Sequence, residues 1–492
     1  MIKMLSKSRY LNGLKCPKLL WLSTNEPEQI SEPDTTTQYL FDQGHLVGEL
    51  AKRIFPEGFD VPFENFAGNI AMTKKLLEQR KPLFEAGVLS NRIYSRIDIL
   101  NPINEDEWEI IEVKSSTSVK EVNLHDVSFQ KLCCVKAGLK IRNCKLAYID
   151  NQYVKNGGID PNEVFIIEDI SIQVEEVSEG IEERVLNMFE LISVKTCPEN
   201  GIGKHCLIPY DCILRQKCWE FLPKDSIFDL RGGKTKQLSL YKQGIVSIKD
   251  IPDDTRLSRQ QQIQKQCVIT GNTHVEKEEI QQFLERLEYP LYYLDFETIS
   301  PAIPIYDGTR PYQTIPFQFS LHIVENDESE LVHHSFLAAE IDDPRPQLLR
   351  ELQEVLGSQG SIVAYNSGFE EGVLRELVKA FPEYTNWFEG ILVRIVDLLI
   401  PFSNFHYYNA SQKDTASLKK VLPAITGKGY EEMGIGAGMD ASIAFERITY
   451  GNVTQEEISR VRADLLKYCE LDTEGMIWIV DKLRELVVNE NK

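Results

Sequence analysis

The chain has 492 residues, 42% of them hydrophobic and 26% charged, with a formal net charge of −21. That balance describes a globular protein of two or three cored domains and excludes a disordered or fibrous one, while the acidic excess excludes nucleic-acid binding through global charge and leaves it to local patches. No secretory signal and no apolar run of membrane-spanning length is legible, so the sequence places the chain in the cytoplasm, off membranes, with its 10 cysteines reduced.

In chain order, residues 1–18 carry five basic side chains and no acid, a patch suited to phosphate contacts. Gly44-His-Leu-Val-Gly48 lies in a helical stretch, with His45 expected to be solvated. Ile93-Tyr-Ser-Arg-Ile-Asp-Ile-Leu100 and Glu107-Trp-Glu-Ile-Ile-Glu-Val-Lys114 are expected to be two strands joined by a turn at Asn101-Pro-Ile-Asn104. On the second strand Glu112 and Lys114 share a face, because alternate side chains point the same way, and Asp98 approaches from the first. An aspartate and a glutamate can hold magnesium, and an adjacent lysine can orient or activate water. Gln130 follows on a helix, in Phe129-Gln-Lys-Leu-Cys-Cys134.

Four cysteines stand apart from the rest. Cys16 lies in Leu14-Lys-Cys-Pro17, and Cys206, Cys212 and Cys218 lie in His205-Cys-Leu-Ile-Pro-Tyr-Asp-Cys-Ile-Leu-Arg-Gln-Lys-Cys218. Four thiolates suffice for an iron–sulfur cluster or for zinc. Cys133, Cys134, Cys144, Cys267 and Cys469 fall in apolar stretches and are expected to be core residues.

Over residues 5–220 these features resemble the PD-(D/E)xK nuclease superfamily in its RecB-like branch, which implies a restriction-endonuclease-like α/β domain. By that resemblance Asp98 and Glu112 are metal ligands, Lys114 is catalytic, and Gln130 begins a Gln-x-x-x-Tyr motif whose tyrosine is Cys134 here. The branch often has a histidine ligand in a Gly-x-x-x-His motif, but that position is Gly48 here, three residues past His45; Glu49 and Glu85 are the alternative acids. One early cysteine and a late trio resemble the iron–sulfur clasp of this branch, which implies a [4Fe–4S] cluster on Cys16, Cys206, Cys212 and Cys218, with zinc as the alternative. The interval from Cys206 to Cys212 is wider than the usual pattern and leaves Cys197 as a further candidate.

Residues 223–288 are expected to be a charged, mainly helical connector. Its stretch 231–249 again has basic residues and no acid, and Leu240-Tyr-Lys-Gln-Gly-Ile-Val-Ser-Ile-Lys-Asp250 resembles a small helix-turn module able to track a phosphate backbone. Gly232-Gly-Lys-Thr235 lacks the full phosphate-loop pattern and is not expected to bind a nucleotide.

Leu291-Tyr-Tyr-Leu-Asp-Phe-Glu-Thr298 is expected to be a buried strand with Asp295 and Glu297 on one face and Phe296 in the core. Two carboxylates so placed call for a cation, and an all-oxygen site suits magnesium or manganese. The Pro- and Tyr-rich loop that follows, 301–316, offers rings for stacking single-stranded bases. Ser361-Ile-Val-Ala-Tyr-Asn-Ser-Gly-Phe-Glu370 is expected to be a short strand breaking into a helix that starts near Glu370, with Glu371 its competitor and Asp397 at the next strand end. Tyr468-Cys-Glu-Leu-Asp472 lies in a long helix, 461–486, where residues four apart share a face.

From about residue 289 this order of motifs resembles the proofreading-type 3′→5′ exonucleases of the ribonuclease-H-like superfamily, in the subclass with a Tyr-x-x-x-Asp third motif. The resemblance implies Asp295, Glu297, Glu370 and Asp472 as metal ligands, Tyr468 as the residue that orients the attacking water, and Asp397 as a support. Glu370 stands where the family usually has aspartate. The expected organisation is α/β throughout: a RecB-like domain over 1–222, the connector over 223–288, and the exonuclease domain over 289–492. The expected activity is magnesium- or manganese-dependent hydrolysis of nucleic acid, DNA with single-stranded or 3′ ends first. The alternatives are that only the C-terminal centre cuts while the N-terminal domain grips DNA, or that the chain is a non-catalytic interaction protein.

Overall fold

A computed structural model describes residues 3–339, 341–430, 433–436 and 438–488. Its fold is mixed α/β and divides into two compact units, Met1–Glu220 with Pro301–Gln313, and Phe221–Ser300 with Thr314–Lys492. The expected connector is no separate body: its residues are counted in the second unit, where Ile280 and Phe283 enter the core and the Gln264 amide donates to the carbonyls of Asp229 and Lys413. The loop after the first acidic strand goes the other way. Its residues 301–313 belong to the first unit, where Ala302 joins the core and Tyr306 is buried. The Tyr312 hydroxyl donates to the Ser115 carbonyl, so this loop is a packed element rather than the open stacking surface expected.

The first unit is built on strands β1 (Leu5–Ser6), β2 (Phe59–Asp60), β3 (Leu83–Ser90), β4 (Ile93–Pro102), β5 (Glu107–Lys114), β6 (Lys140–Ile149) and β7 (Phe165–Asp169). They run in the order β2-β3-β4-β5-β6-β7, with β1 also on β4. β4 and β5 are antiparallel, as the turn between them requires, and β6 lies parallel to β5. Alternation in β4 buries Ile93, Ser95 and Ile97 while Tyr94, Arg96 and Asp98 stay half-buried. β1 pairs with β4 at Ile93 and Tyr94, and β5 pairs with it from Ile99 onward. Asp98 therefore sits at the gap between β1 and β5, and helix α1 (Lys7–Lys15) starts there, capped by Ser6 Oγ on the Arg9 amide at 3.3 Å. Cys16 closes α1 and opens helix α2 (Pro17–Asn25), whose first residue is proline, the position where a missing N–H costs nothing.

The second unit has a central strand β9 (Leu291–Ile299), preceded by the short β8 (His274–Val275), with β10 (Ile315–Val324), β11 (Val332–Leu337), β12 (Ser361–Ala364), β13 (Ile395–Asp397) and the short β14 (Tyr407–Tyr408) after it. The main sheet has the order β11-β10-β9-β12-β13. β9, β10 and β11 are antiparallel neighbours, whereas β12 is parallel to β9 and β13 to β12. The helix that carries Tyr468 and Asp472 is longer than expected, Gln455–Val488, and opens with the Thr454 hydroxyl on the Glu457 amide at 3.3 Å. Helix Leu418–Thr426 approaches it so closely that a Cβ on Gly475 would lie 2.9 Å from Leu422. Among the described residues, no helix is long and apolar enough to cross a membrane.

Candidate functional site

In the second unit, period-two alternation on β9 aims Asp295 and Glu297 at the long helix, and Asp472 meets them from that helix. One carboxylate oxygen from each lies within 4.8 Å of the others. At an effective dielectric of about 20, two full charges separated by about that distance repel by roughly 3.5 kcal/mol, so the group needs protons or a cation. Burial, and then the neighbouring charge of Asp472, hold the Asp295 carboxyl well above the usual range; burial and Asp295 do the same for Glu297. Asp472 is raised only to about 6, because hydrogen bonds from Tyr430 and Tyr468 and the charge of Lys419 offset its burial.

Glu370 lies in the first turn of helix Gly368–Ala380, buried, with its Oε2 lacking a hydrogen-bond partner. Burial and the charge of Asp295 push its carboxyl well up. That oxygen is a buried acceptor left unsatisfied, although Glu370 is not one of the three acids whose oxygens close to 4.8 Å. The competing Glu371 is instead paired with Arg375 at 3.4 Å. Asp397 accepts the backbone N–H groups of Asn366 and Leu399, both at 2.9 Å, and so holds the turn that leads to Glu370.

Three further residues complete this centre. The Tyr430 hydroxyl donates to Asp472 Oδ1, the Lys419 ammonium lies 4.9 Å from the centroid of the Tyr468 ring, and the Cys469 thiol donates to Asp295 Oδ2 at 3.5 Å. Cys469 is thus more than the core filler expected of it. Its place beside Asp295 was readable in principle, since it is next to Tyr468 on the same helix; Tyr430 leaves no local signal.

The first unit gathers a denser cluster. Glu112 is fully buried and accepts from Lys7 Nζ at 2.9 Å, Lys114 Nζ at 2.5 Å and Gln130 Nε2 at 2.6 Å. Asp126, one helical turn before Gln130 on helix Glu121–Lys136, accepts from Gln130 at 3.0 Å and Lys114 at 2.9 Å. Asp98 accepts the Val113 amide at 2.9 Å. Burial opposes ionisation of Glu112, but the charges of Lys114 and Lys7 outweigh it and hold its carboxyl far below the usual range. Burial, followed by the charge of Glu112, raises Asp98 to about 7.

Lys7 corrects an expectation. It is not part of a solvent-facing phosphate patch: its ammonium stands 3.9 Å from Asp98, 2.9 Å from Glu112 and 3.6 Å from Asp126, at the place a cation shared by these acids would take. A cavity of about 310 Å³ opens beside it, lined by Lys7, His45, Glu49, Lys52, Glu85, Arg96 and Asp98 among others. The three candidates for the missing histidine thus share one cavity with Asp98. Glu85 is paired with Arg96 at 2.6 Å, Glu49 with Lys52 at 2.6 Å, and His45 is exposed.

Cys16, Cys206, Cys212 and Cys218 line a single small pocket. Cys16 Sγ accepts from Asn200 at 3.1 Å, and Cys197 packs on the same apolar cluster as Cys16, Cys212 and Cys218. One zinc, at a Zn–S distance of about 2.3 Å, would draw its sulfurs to roughly 3.8 Å apart. Among the described residues, the groups of three or more ligand atoms that close to 4.8 Å are His322, His333 and Glu470, and the carboxylates of Asp295, Glu297 and Asp472, with no cysteine in either. Cys133, Cys134, Cys144 and Cys267 are buried, as core residues are.

Comparison with known proteins places part of the first of these centres in a recognised segment. Residues 292–417 match the model of a family described as a domain of unknown function, DUF2779. The segment holds Asp295, Glu297, Glu370 and Asp397 and ends before Tyr468 and Asp472. The chain is similar, at 27% identity over 233 residues, to the uncharacterized protein MG366 homolog of Mycoplasma pneumoniae, covering 42% of this chain and 34% of that protein. It is similar at 29% identity over 217 residues to the uncharacterized protein MG366 of Mycoplasma genitalium, covering 40% and 32%. The matches thus span about a third of the length of these relatives.

Proposed function

We propose that the chain is a metal-dependent nuclease whose second unit is a ribonuclease-H-like 3′→5′ exonuclease and whose first unit is a RecB-like PD-(D/E)xK domain with an iron–sulfur clasp. The observation that carries the reading is the convergence of Asp295, Glu297 and Asp472 within 4.8 Å. The strand order β11-β10-β9-β12-β13, with the first three strands antiparallel and the last two parallel to β9, supports it by setting the acidic strand β9 at the centre of a mixed sheet, as the resemblance to an α/β exonuclease domain implies.

Asp295, Glu297, Glu370 and Asp472 would hold magnesium or manganese, whose chemistry is to stabilise the attacking and leaving oxygens of a phosphodiester. The protein's own residues do the rest. Burial keeps the Tyr468 phenol protonated, so it is not a base; its hydroxyl donates its hydrogen bond to Asp472, which leaves its oxygen to accept from and position water. Lys419, half-buried beside the same acids, offers a positive charge to a phosphate entering next to Tyr468. The test is release of a 3′ label from single- and double-stranded DNA and RNA by the full chain, wild type against Asp295→Asn. Equal release by both would end the proposal.

In the first unit Asp98 and Glu112 would hold the metal, with Lys114 and Gln130 beside it. Lys7 favours a second reading there, in which this unit grips nucleic acid without cutting, since an ammonium already neutralises the acids that a metal would need. Internally labelled substrate separates the two. A nick that persists in Asp295→Asn and vanishes on adding Lys114→Ala assigns cutting to the first unit; complete inactivity of Asp295→Asn assigns it to grip. For the clasp, the meeting of Cys16, Cys206, Cys212 and Cys218 in one pocket supports a thiolate-bound metal group, and iron against zinc content of anaerobically purified protein decides between cluster and zinc.

A further inference from the structure

A second cluster of metal-binding side chains lies on the same sheet and serves no step above. His322 is buried on β10, His333 stands opposite it in register on β11, and Glu470 comes from the long helix. The two rings lie 4.3 Å apart, and one ligand atom from each of the three residues lies within 4.8 Å of the others.

The hydrogen bonds around the cluster fix where its lone pairs point. Thr473, three residues after Glu470 on the helix, donates its hydroxyl proton to the Glu470 carbonyl at 3.0 Å, as helical threonines commonly do. Its oxygen must then accept from its other two neighbours, Ser320 Oγ at 2.7 Å and His322 Nδ1 at 2.8 Å. Ser320, having given its proton to Thr473, accepts in turn from His333 Nε2 at 2.9 Å. One consistent assignment therefore places the protons on His322 Nδ1 and His333 Nε2. The lone pairs are left on His322 Nε2 and on His333 Nδ1, the latter 3.6 Å from Glu470 Oε1. Two acceptor nitrogens and a carboxylate thus belong to one cluster, with His333 Nδ1 the nitrogen that faces Glu470. Burial lowers both imidazoles, His322 to about 4, so neither carries a second proton at neutral pH.

We propose that His322, His333 and Glu470 form a binding site for a divalent transition ion of the zinc class. Two neutral imidazoles and one carboxylate are a donor set for zinc, and they are unsuited to magnesium, which demands oxygen. Hydroxyl groups on the far nitrogens are the outer support that metal-binding histidines generally have. Glu470 and His333 are partly exposed, which gives the ion a path in and leaves room for water as a fourth ligand. The two rings are near parallel, at 20°, so binding would turn one of them about its Cβ–Cγ bond, giving up that ring's hydroxyl hydrogen bond to bring the lone pairs together while the other ring keeps its support.

The test is zinc titration of chelator-stripped, full-length protein against a chromophoric competitor, with magnesium in large excess to fill the all-oxygen carboxylates. Wild type, His333→Ala, Glu470→Gln, Asp295→Asn and a Cys206→Ser/Cys212→Ser double variant are compared, and thermal unfolding in chelator confirms that each is folded. Wild type should bind one zinc equivalent more than His333→Ala, and Glu470→Gln should weaken that equivalent at least tenfold. Asp295→Asn and the cysteine variant should retain it. The same stoichiometry in wild type and His333→Ala would overturn the proposal, as would loss of the equivalent in Asp295→Asn or in the cysteine variant alone.

Discussion

Asp295, Glu297 and Asp472 are held together at a cost to the fold, and that cost is measurable. A carboxyl raised in the folded state binds more protons there than in the unfolded chain, so folding stability falls as pH rises through the window between the two values. For Asp472 that window runs from the ordinary 3.8 to about 6. Metal-free protein should lose stability across this range, and magnesium or manganese should restore it at neutral pH, read as a rise in melting temperature on titration. Asp295→Asn should melt higher than wild type in chelator and gain little from metal. A wild-type melting temperature indifferent to either ion would contradict the cation role of these side chains.

Lys7 makes the opposite case at the same scale. It supplies the charge that the acids of the first unit would otherwise take from a metal, and burial has not stripped its proton: Glu112, Asp126 and Asp98 outweigh burial and hold it firmly protonated. Lys7→Met should leave Glu112 and Asp126 under-neutralised, lowering stability by about 3 kcal/mol, the size expected on breaking a buried ion pair. It should also raise manganese affinity in an Asp295→Asn background. Calorimetry that shows no new manganese binding would mean Lys7 is a plain structural ion pair.

At the scale of elements, alternation and helical period were enough to bring several site residues together. Asp295 and Glu297 share a face because they are two apart on a strand, Tyr468 and Asp472 because they are four apart on a helix, and Glu112 and Lys114 as Asp295 and Glu297 do. What local pattern could not give was any partner contributed by a distant element. Lys7 read as one more basic residue near the start, because only the pairing of β1 with β4 brings it to Asp98. Asp126 had a faint signal, one turn before Gln130 on the same helix face, and Lys419 lies in Ser417-Leu-Lys-Lys420, which resembles the exonuclease family's helix before the third motif, whereas Tyr430 had none. Packing between elements has its own test. Gly475 lets helix Leu418–Thr426 come close to the long helix, so Gly475→Val should cost roughly 1–3 kcal/mol through overpacking against Leu422, even though glycine is the poorer helix former. An unchanged denaturation midpoint would show that Leu422 yields freely.

For the molecule as a whole, the sequence suggested consecutive domains, and the chain does not respect that order. Residues 301–313 leave the second unit immediately after the strand of Asp295 and Glu297, add Ala302 to the first unit's core, and return. Short-range patterns carry no information about such an excursion, so this loop looked like an open binding surface. A fragment beginning at Phe221 would strand those residues in water, and it should be less soluble and melt lower than the full chain. The most direct measurement remains 3′-end release from labelled single-stranded DNA with magnesium or manganese. Wild-type protein should shorten the strand one nucleotide at a time, and Asp295→Asn, once its melting curve shows it folded, should not release the label. Release by Asp295→Asn at the wild-type rate, or none by wild-type protein on DNA or RNA with either ion, would contradict the assignment of this centre.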